Sequence, residues 1–239
     1  MTKIATDAPL LFRIFQRVGW LLLRALTRLE VRGLEHVPAS GPLIIAPNHL
    51  HALDIPVVGI VIPRWISVFV AEKWEGKLGG RLIELATEAI FVERGEADRG
   101  ALAQALAILK AGRALAVAPE GTRSRTGGLG QGKNGAAYLA SRSGAAILPV
   151  AAWGHERALG SWRRFRRPQI HVRIAKPIHL RPEAERARTA ELQAYTDQLM
   201  LTLAGMLPPA YRGVYADRAE NEEQVTDAYP SSAPSVSSR

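Results

Sequence analysis

Cysteine is absent from all 239 residues. Its absence removes disulfides, thiolate metal sites and a cysteine nucleophile, and it leaves the redox compartment unreadable. No apolar run is long and uninterrupted enough for a membrane-spanning helix. Arginines break the N-terminal apolar stretch and no small-residue cleavage site follows it, so a secretory signal is not expected. No G-x-S-x-G elbow occurs, which disfavours a serine hydrolase of that type. Neither a G-x-x-x-x-G-K-[ST] loop nor a dinucleotide fingerprint is present, and the glycine-rich segment GGLGQGKNG, residues 127–135, matches no phosphate loop.

What the chain does have is positive charge. Lysine and arginine number 31 against 22 acids, a net of +9. Residues 217–239 carry five acids against two arginines, so the rest of the chain holds 29 basic and 17 acidic residues. A body this basic seeks an anionic partner: nucleic acid, anionic lipid or a phosphorylated substrate. With no recognisable nucleic-acid module, lipid is the favoured reading and nucleic acid is not expected. The basic, aromatic-interleaved SWRRFRRP, residues 161–168, reads either as a solvated loop or as a grip on anionic headgroups.

Apolar periodicity predicts a helix over Pro9–Glu30. Arg13, Arg17, Arg24 and Arg28 fall within an arc of roughly 60° at about 100° per residue, and apolar residues fill most of the remainder. A narrow basic stripe on a wide apolar body suits a helix lying in a membrane interface, and equally a helix packed on a core with one polar face. Strands are predicted at Leu43–Ala46, Ile66–Val70, Ala89–Val92, Ala114–Ala118, Ala146–Val150 and Ile170–Ile174. Helices are predicted at Ile55–Ile62, Lys77–Ala86, Ala97–Ala111, Lys133–Ser143 and Glu183–Leu207. Such alternation gives an α/β fold, a mostly parallel sheet flanked by helices, with an N-terminal amphipathic membrane-associating helix. The expected division is an N-terminal helix over residues 1–30, a domain over 31–208 and a disordered tail over 209–239.

Ligands gather outside the carboxyl ends of parallel strands. Three polar islands fall there: NHLHALD (residues 48–54), Arg94 in IFVERG, and PEGTRSR (residues 119–125). His49 can take a proton from a hydroxyl near neutral pH, and Asp54 can orient its ring. The blander alternative is a solvated histidine with Asp54 capping the next helix. Arg94 can clamp phosphate or simply pair with a neighbouring glutamate. Gly121 permits a tight turn with exposed N–H groups, Thr122 and Arg123 add a hydroxyl and a cation, and Glu120 can accept from a polyol. His49, His51 and Asp54 also form an H-x-H-x-x-D cluster, but zinc needs further ligands and the spacings of His155, His171 and His179 do not supply them, so no metal is expected.

NHLHALD, IFVERG, PEGTRSR and ILPVAAWG (residues 147–154) occur in one order, and over about residues 30–180 the chain resembles the glycerolipid acyltransferases that include 1-acyl-glycerol-3-phosphate acyltransferase. The resemblance implies acyl transfer to the free hydroxyl of lysophosphatidic acid, giving phosphatidic acid, or acylation of another lysolipid or polar acceptor. It implies His49 as general base and Asp54 as its support. Arg94, Glu120, Gly121, Thr122 and Arg123 would hold the acceptor, Pro149 would shape the site, and His51 would have no direct role. The co-substrate would be an acyl thioester of coenzyme A or acyl carrier protein, with no other cofactor. Partners would be the acyl donor, the lysophospholipid and an anionic membrane surface, at the cytoplasmic face and peripherally bound. From other classes stand a metal-dependent hydrolase built on His49, His51 and Asp54, and a non-catalytic membrane-binding protein.

Overall fold

Alternation of side chains along the strands sets the layers. In β2 (Leu43–Pro47), Leu43 and Ile45 join one apolar cluster while Ile44 and Ala46 join another on the opposite face. In β6 (Ala146–Trp153), all eight residues are buried; Leu148, Val150 and Ala152 face the first cluster, and Ile147, Ala151 and Trp153 the second. Strands buried on both faces are near-continuously apolar, and this is the signature of a sheet covered by helices on each side.

The structure is a computed structural model and describes residues 8–72, 75–77, 87–92, 99–181 and 188–219. The remaining strands are β1 (Arg28–Arg32), β3 (Ile66–Ala71), β4 (Glu88–Val92), β5 (Ala114–Ala116) and β7 (Gln169–Ile174). Together they form one seven-stranded sheet in the order β1-β7-β6-β2-β5-β3-β4. Every pairing is parallel except β6 with β7. Helices α1 (Leu10–Leu26) and α2 (Asp54–Val61) cover one face, with Val57, Val58 and Val61 in the core there. Helices α3 (Arg99–Lys110), α4 (Gly135–Ser143) and α6 (Thr189–Met206) cover the other, through residues such as Leu109, Leu139 and Met200. A short helix, α5 (Ala158–Trp162), lies between β6 and β7.

The α/β class and the mostly parallel sheet agree with the sequence reading, and most boundaries move by a few residues. Two do not. The N-terminal helix stops at Leu26 rather than Glu30, because Arg28–Arg32 pairs in parallel with β7 over its whole length. Leu29 and Val31 pack toward the core while Arg28 and Arg32 are exposed, a period of two that is easily read as the end of a helix. Residues 209–219, expected to start a disordered tail, instead lie against the domain. Tyr215 and Ala219 are buried in the core, and the Gly132 N–H donates to the Tyr215 hydroxyl at 3.0 Å. The expected helix at Lys77–Ala86 falls largely outside the described residues, as do the first residues of Glu183–Leu207.

Helix α1 has two apolar faces. Phe12 is buried and Gln16 donates to the carbonyls of Gly59 and Ile62, at 3.0 and 2.6 Å, which docks this face on α2. Leu10, Ile14, Val18 and Leu21 are exposed on another face. No described helix is long and apolar enough to cross a membrane.

Candidate active site

Strands β2, β5 and β6 are mutually parallel, so NHLHALD, PEGTRSR and the end of ILPVAAWG leave the sheet at the same rim. Asn48 continues the β2–β6 ladder with its side chain: its Nδ2 donates to the Ala152 carbonyl at 3.0 Å and its Oδ1 accepts the Ala152 N–H at 2.7 Å. The main chain is thereby free to turn away at His49. Its turn closes through the Asp54 N–H donating to the His51 carbonyl at 3.1 Å. Asp54 then opens α2 as its first residue, and its side chain reaches back across the turn to the His51 N–H.

The carboxylate of Asp54 is 1% exposed and satisfied on both oxygens. Oδ2 accepts from His49 Nδ1 at 2.6 Å and from the His51 N–H at 2.9 Å. Oδ1 is hydrogen-bonded to Nε2 of His155, which is 0% exposed. Burial pushes the Asp54 carboxyl up, but the hydrogen bonds from His155, His49 and the His51 N–H outweigh it and hold the pKa below the ordinary carboxylate value. Asp54 is therefore a fixed anion. It sets the His49 tautomer with hydrogen on Nδ1 and leaves Nε2 as the lone-pair nitrogen. The His49 side chain is 18% exposed, enough to meet a reactant.

His155 was not assigned to this site by the sequence. Its Nδ1 is buried without a partner. Its Nε2 faces Asp54 Oδ1, where an N–H on that nitrogen donates to the carboxylate. Gly154 aims it: φ is +89°, and a Cβ there would stand 2.1 Å from the Gln169 carbonyl oxygen. A histidine directly after a glycine at the end of a wholly apolar strand, on the rim already holding His49, was the available signal.

Glu120 occupies a different place from the one expected. It is buried, and its two oxygens accept the His49 N–H at 3.0 Å and the Gly130 N–H at 2.8 Å. Burial raises its pKa above the ordinary value despite these bonds, with the charge of Asp54 adding to the rise. Its carboxylate ties NHLHALD to PEGTRSR and to the glycine-rich loop. The Ser124 N–H adds a second tie by donating to the His49 carbonyl at 2.7 Å. The Gly121 turn has φ +69°, and Thr122 and Arg123 are exposed beside it. The ammonium of Lys133 lies over this turn, 3.2 Å from where a Gly121 Cβ would sit, a cation that the sequence reading did not place here. Arg94 lies outside the described residues. Pro149 sits where β6 parts from β7: its carbonyl accepts the Ala175 N–H at 3.1 Å and it has no N–H to return, so the ladder ends there.

Among the described residues no group of three or more histidines and acids is arranged to hold a metal ion. Nδ1 of His49 faces Asp54, and Nδ1 of His51 accepts the Leu53 N–H at 3.3 Å.

A parallel-sheet α/β domain with a partly exposed imidazole, backed by a buried carboxylate, has the groups that general-base chemistry uses. The sequence profile of the family described as "Acyltransferase" matches residues 28–153, more than half of the chain and all the rim motifs up to Trp153. The chain belongs to this acyltransferase family. It is 31% identical over 157 residues to human 1-acyl-sn-glycerol-3-phosphate acyltransferase alpha, covering 63% of this chain and 55% of that protein. It is 29% identical over 195 residues to the lyso-ornithine lipid O-acyltransferase of Pseudomonas aeruginosa, covering 72% of this chain and 74% of that protein. The crystal structure of the 1-acyl-sn-glycerophosphate acyltransferase PlsC from Thermotoga maritima superposes with a TM-score of 0.64 at 22% identity, over 89% of this chain and 79% of that one. That likeness establishes the shared fold. The chain spans little more than half the length of the human relative.

Proposed function

We propose that this protein transfers an acyl chain from an acyl thioester, carried by coenzyme A or acyl carrier protein, to the free hydroxyl of lysophosphatidic acid. The observation that carries the reading is the partly exposed His49 imidazole, whose Nδ1 is held by the buried Asp54 carboxylate at 2.6 Å. Nε2 takes the proton of the acceptor hydroxyl as its oxygen attacks the thioester carbonyl. The tetrahedral adduct collapses with loss of the thiolate, which receives the proton from the imidazolium. The thioester is already activated, so no covalent enzyme intermediate is needed and the absence of cysteine costs nothing. A base of this kind contributes about 10²–10⁴-fold.

Arg94, Gly121, Thr122 and Arg123 form the acceptor-binding set, with Lys133 adding charge over the same turn and Glu120 acting by holding both loops in register. The basic groups suit the acceptor's phosphate. The exposed apolar face of α1, with Arg17 and Arg24 also exposed, suits peripheral residence on an anionic membrane at the cytoplasmic face, where a lysolipid acceptor resides. In this division the anchor expected over residues 1–30 is shortened to the segment ending with α1 at Leu26, and the catalytic body runs from β1 at Arg28 through 208, with 209–219 added to it.

The test is incubation of the purified protein with lysophosphatidic acid and with a lyso-ornithine lipid, each with palmitoyl-coenzyme A and palmitoyl-acyl carrier protein, followed by mass detection of product. Diacylated phosphatidic acid as main product supports the reading. Acylation of the lyso-ornithine lipid alone moves the acceptor to a phosphate-free headgroup, and no acylated product with any pair overturns it.

A further inference from the structure

Phe165 bears two costs with no return among the described residues. It is 100% exposed. It also has φ +52°, the only non-glycine residue among the described ones with a positive φ. The cause is the way α5 ends. The Phe165 N–H donates to the Trp162 carbonyl at 2.9 Å and the Arg166 N–H to the Ser161 carbonyl at 2.9 Å, the paired bonds of a Schellman ending. That motif places its left-handed residue where glycine is the default, and a phenylalanine there is strained. A bulky ring held in water on a strained backbone gains its return from something outside the molecule.

The surroundings say what that is. Arg163, Arg164 and Arg166 are exposed on either side of the ring, and Leu159 and Trp162 are exposed on the turn that precedes it. The loop is not free to swing. The Trp162 indole N–H donates to the Leu26 carbonyl at 3.0 Å, and the Arg167 guanidinium donates to the carbonyls of Arg24 and Thr27. These bonds fasten the loop to the last turn of α1, where Leu22 and Leu26 are themselves exposed.

We propose that the Phe165 loop is a second membrane-contacting element. The ring enters the acyl boundary of an anionic bilayer while the flanking arginines meet the lipid phosphates, and the loop and the end of α1 act as one rigid contact. Charge complementarity selects a bilayer over a second copy of this chain, whose corresponding surface would bring the same arginines face to face. Apolar area and basic groups together are what interfacial binding uses, each amplifying the other.

The inference rests on the membrane reading of α1 given above, but its readout is binding rather than turnover, so the two fail separately. The full chain and its Phe165→Gly variant are floated with vesicles of phosphatidylcholine, and with vesicles of phosphatidylcholine and phosphatidylglycerol in equal parts. Glycine removes the ring and relieves the backbone. The expected result is a thermal midpoint that holds or rises, with partition onto the mixed vesicles reduced about tenfold, as loss of one buried aromatic implies. Replacing Arg163, Arg164 and Arg166 by glutamine lowers binding to the mixed vesicles and leaves the phosphatidylcholine control unchanged. Unchanged partition of Phe165→Gly overturns the proposal. A large drop in its thermal midpoint also overturns it, since the ring would then serve the fold. Loss of self-association, with vesicle binding intact, would assign the patch to a second copy of this chain instead.

Discussion

The Asp54 carboxylate takes part in three hydrogen bonds, with His49, His155 and the His51 N–H, and its share of the pH dependence follows from them. Its pKa is lowered on folding, so its contribution to stability is full above the ordinary carboxylate value of 3.8 and is lost as pH falls from there through the lower folded value. Glu120 has the opposite sign: its raised pKa means a contribution present at acid pH that is lost as pH rises through its folded value. Asp54→Asn should therefore lack the loss of stability below pH 3.8, measured by urea unfolding across a pH series, and at neutral pH should fall in turnover by about 10²–10⁴-fold because the His49 tautomer is no longer fixed. His155 acts through Asp54 as a positioning residue. His155→Leu, which removes its N–H, should lower kcat with little change in KM, and His155→Gln, which returns a donor near the Nε2 position, should recover much of the loss. Equal loss in both variants, or a change in KM alone, would contradict that role. At this scale His49, Asp54 and the Gly121 turn could be read from the chain, because each is a short local pattern at a predicted strand end. His155 could not be paired with Asp54 by pattern, since the two lie 101 residues apart and meet only when β6 is laid beside β2.

At the scale of elements, α1 packs one face on the domain, as the core-facing reading of its pattern expects, and leaves a second apolar face exposed. Its Phe12 face is docked on α2 and its Leu10–Ile14–Val18–Leu21 face is exposed. A 3.6-residue period reports that apolar residues share an arc, but not whether one arc serves the core and another does not. Phe12→Ala should cost about 3–5 kcal/mol of unfolding free energy, the usual penalty for a buried aromatic, measured by denaturant titration. Replacing Leu10, Ile14, Val18 and Leu21 by glutamine should leave that free energy nearly unchanged and reduce vesicle co-sedimentation. An unfolding penalty from the four exposed positions comparable to Phe12→Ala would show that this face is packed too. Strand β1 was hidden for a related reason: five residues alternating Arg-Leu-Glu-Val-Arg next to a long helix extend its apparent period, and only pairing with β7 separates them.

Over the whole molecule, one edge of the sheet collects the polar loops, and long-range hydrogen bonds lock them in sequence. Tyr215 holds the glycine-rich loop through Gly132, the same loop reaches Glu120 through Gly130, and Glu120 holds the His49 N–H. The glycine-rich segment thus serves as the ledge on which the site is mounted, which explains why it fits no phosphate-loop pattern. The parallel order of the strands was readable because buried strands are apolar throughout. The packing of residues 209–219 was not, since it depends on a few contacts, such as Tyr215 to Gly132, between segments that carry no periodic signal. The central claim is that His49 is the base of an acyl transfer. Its most direct test is the initial rate of product formation from lysophosphatidic acid and an acyl thioester by purified His49→Ala, with circular dichroism and a thermal melt to establish that the variant is folded. The account predicts a native-like melt with turnover lowered by about 10²–10⁴-fold or more; near-normal turnover by the folded variant would contradict it.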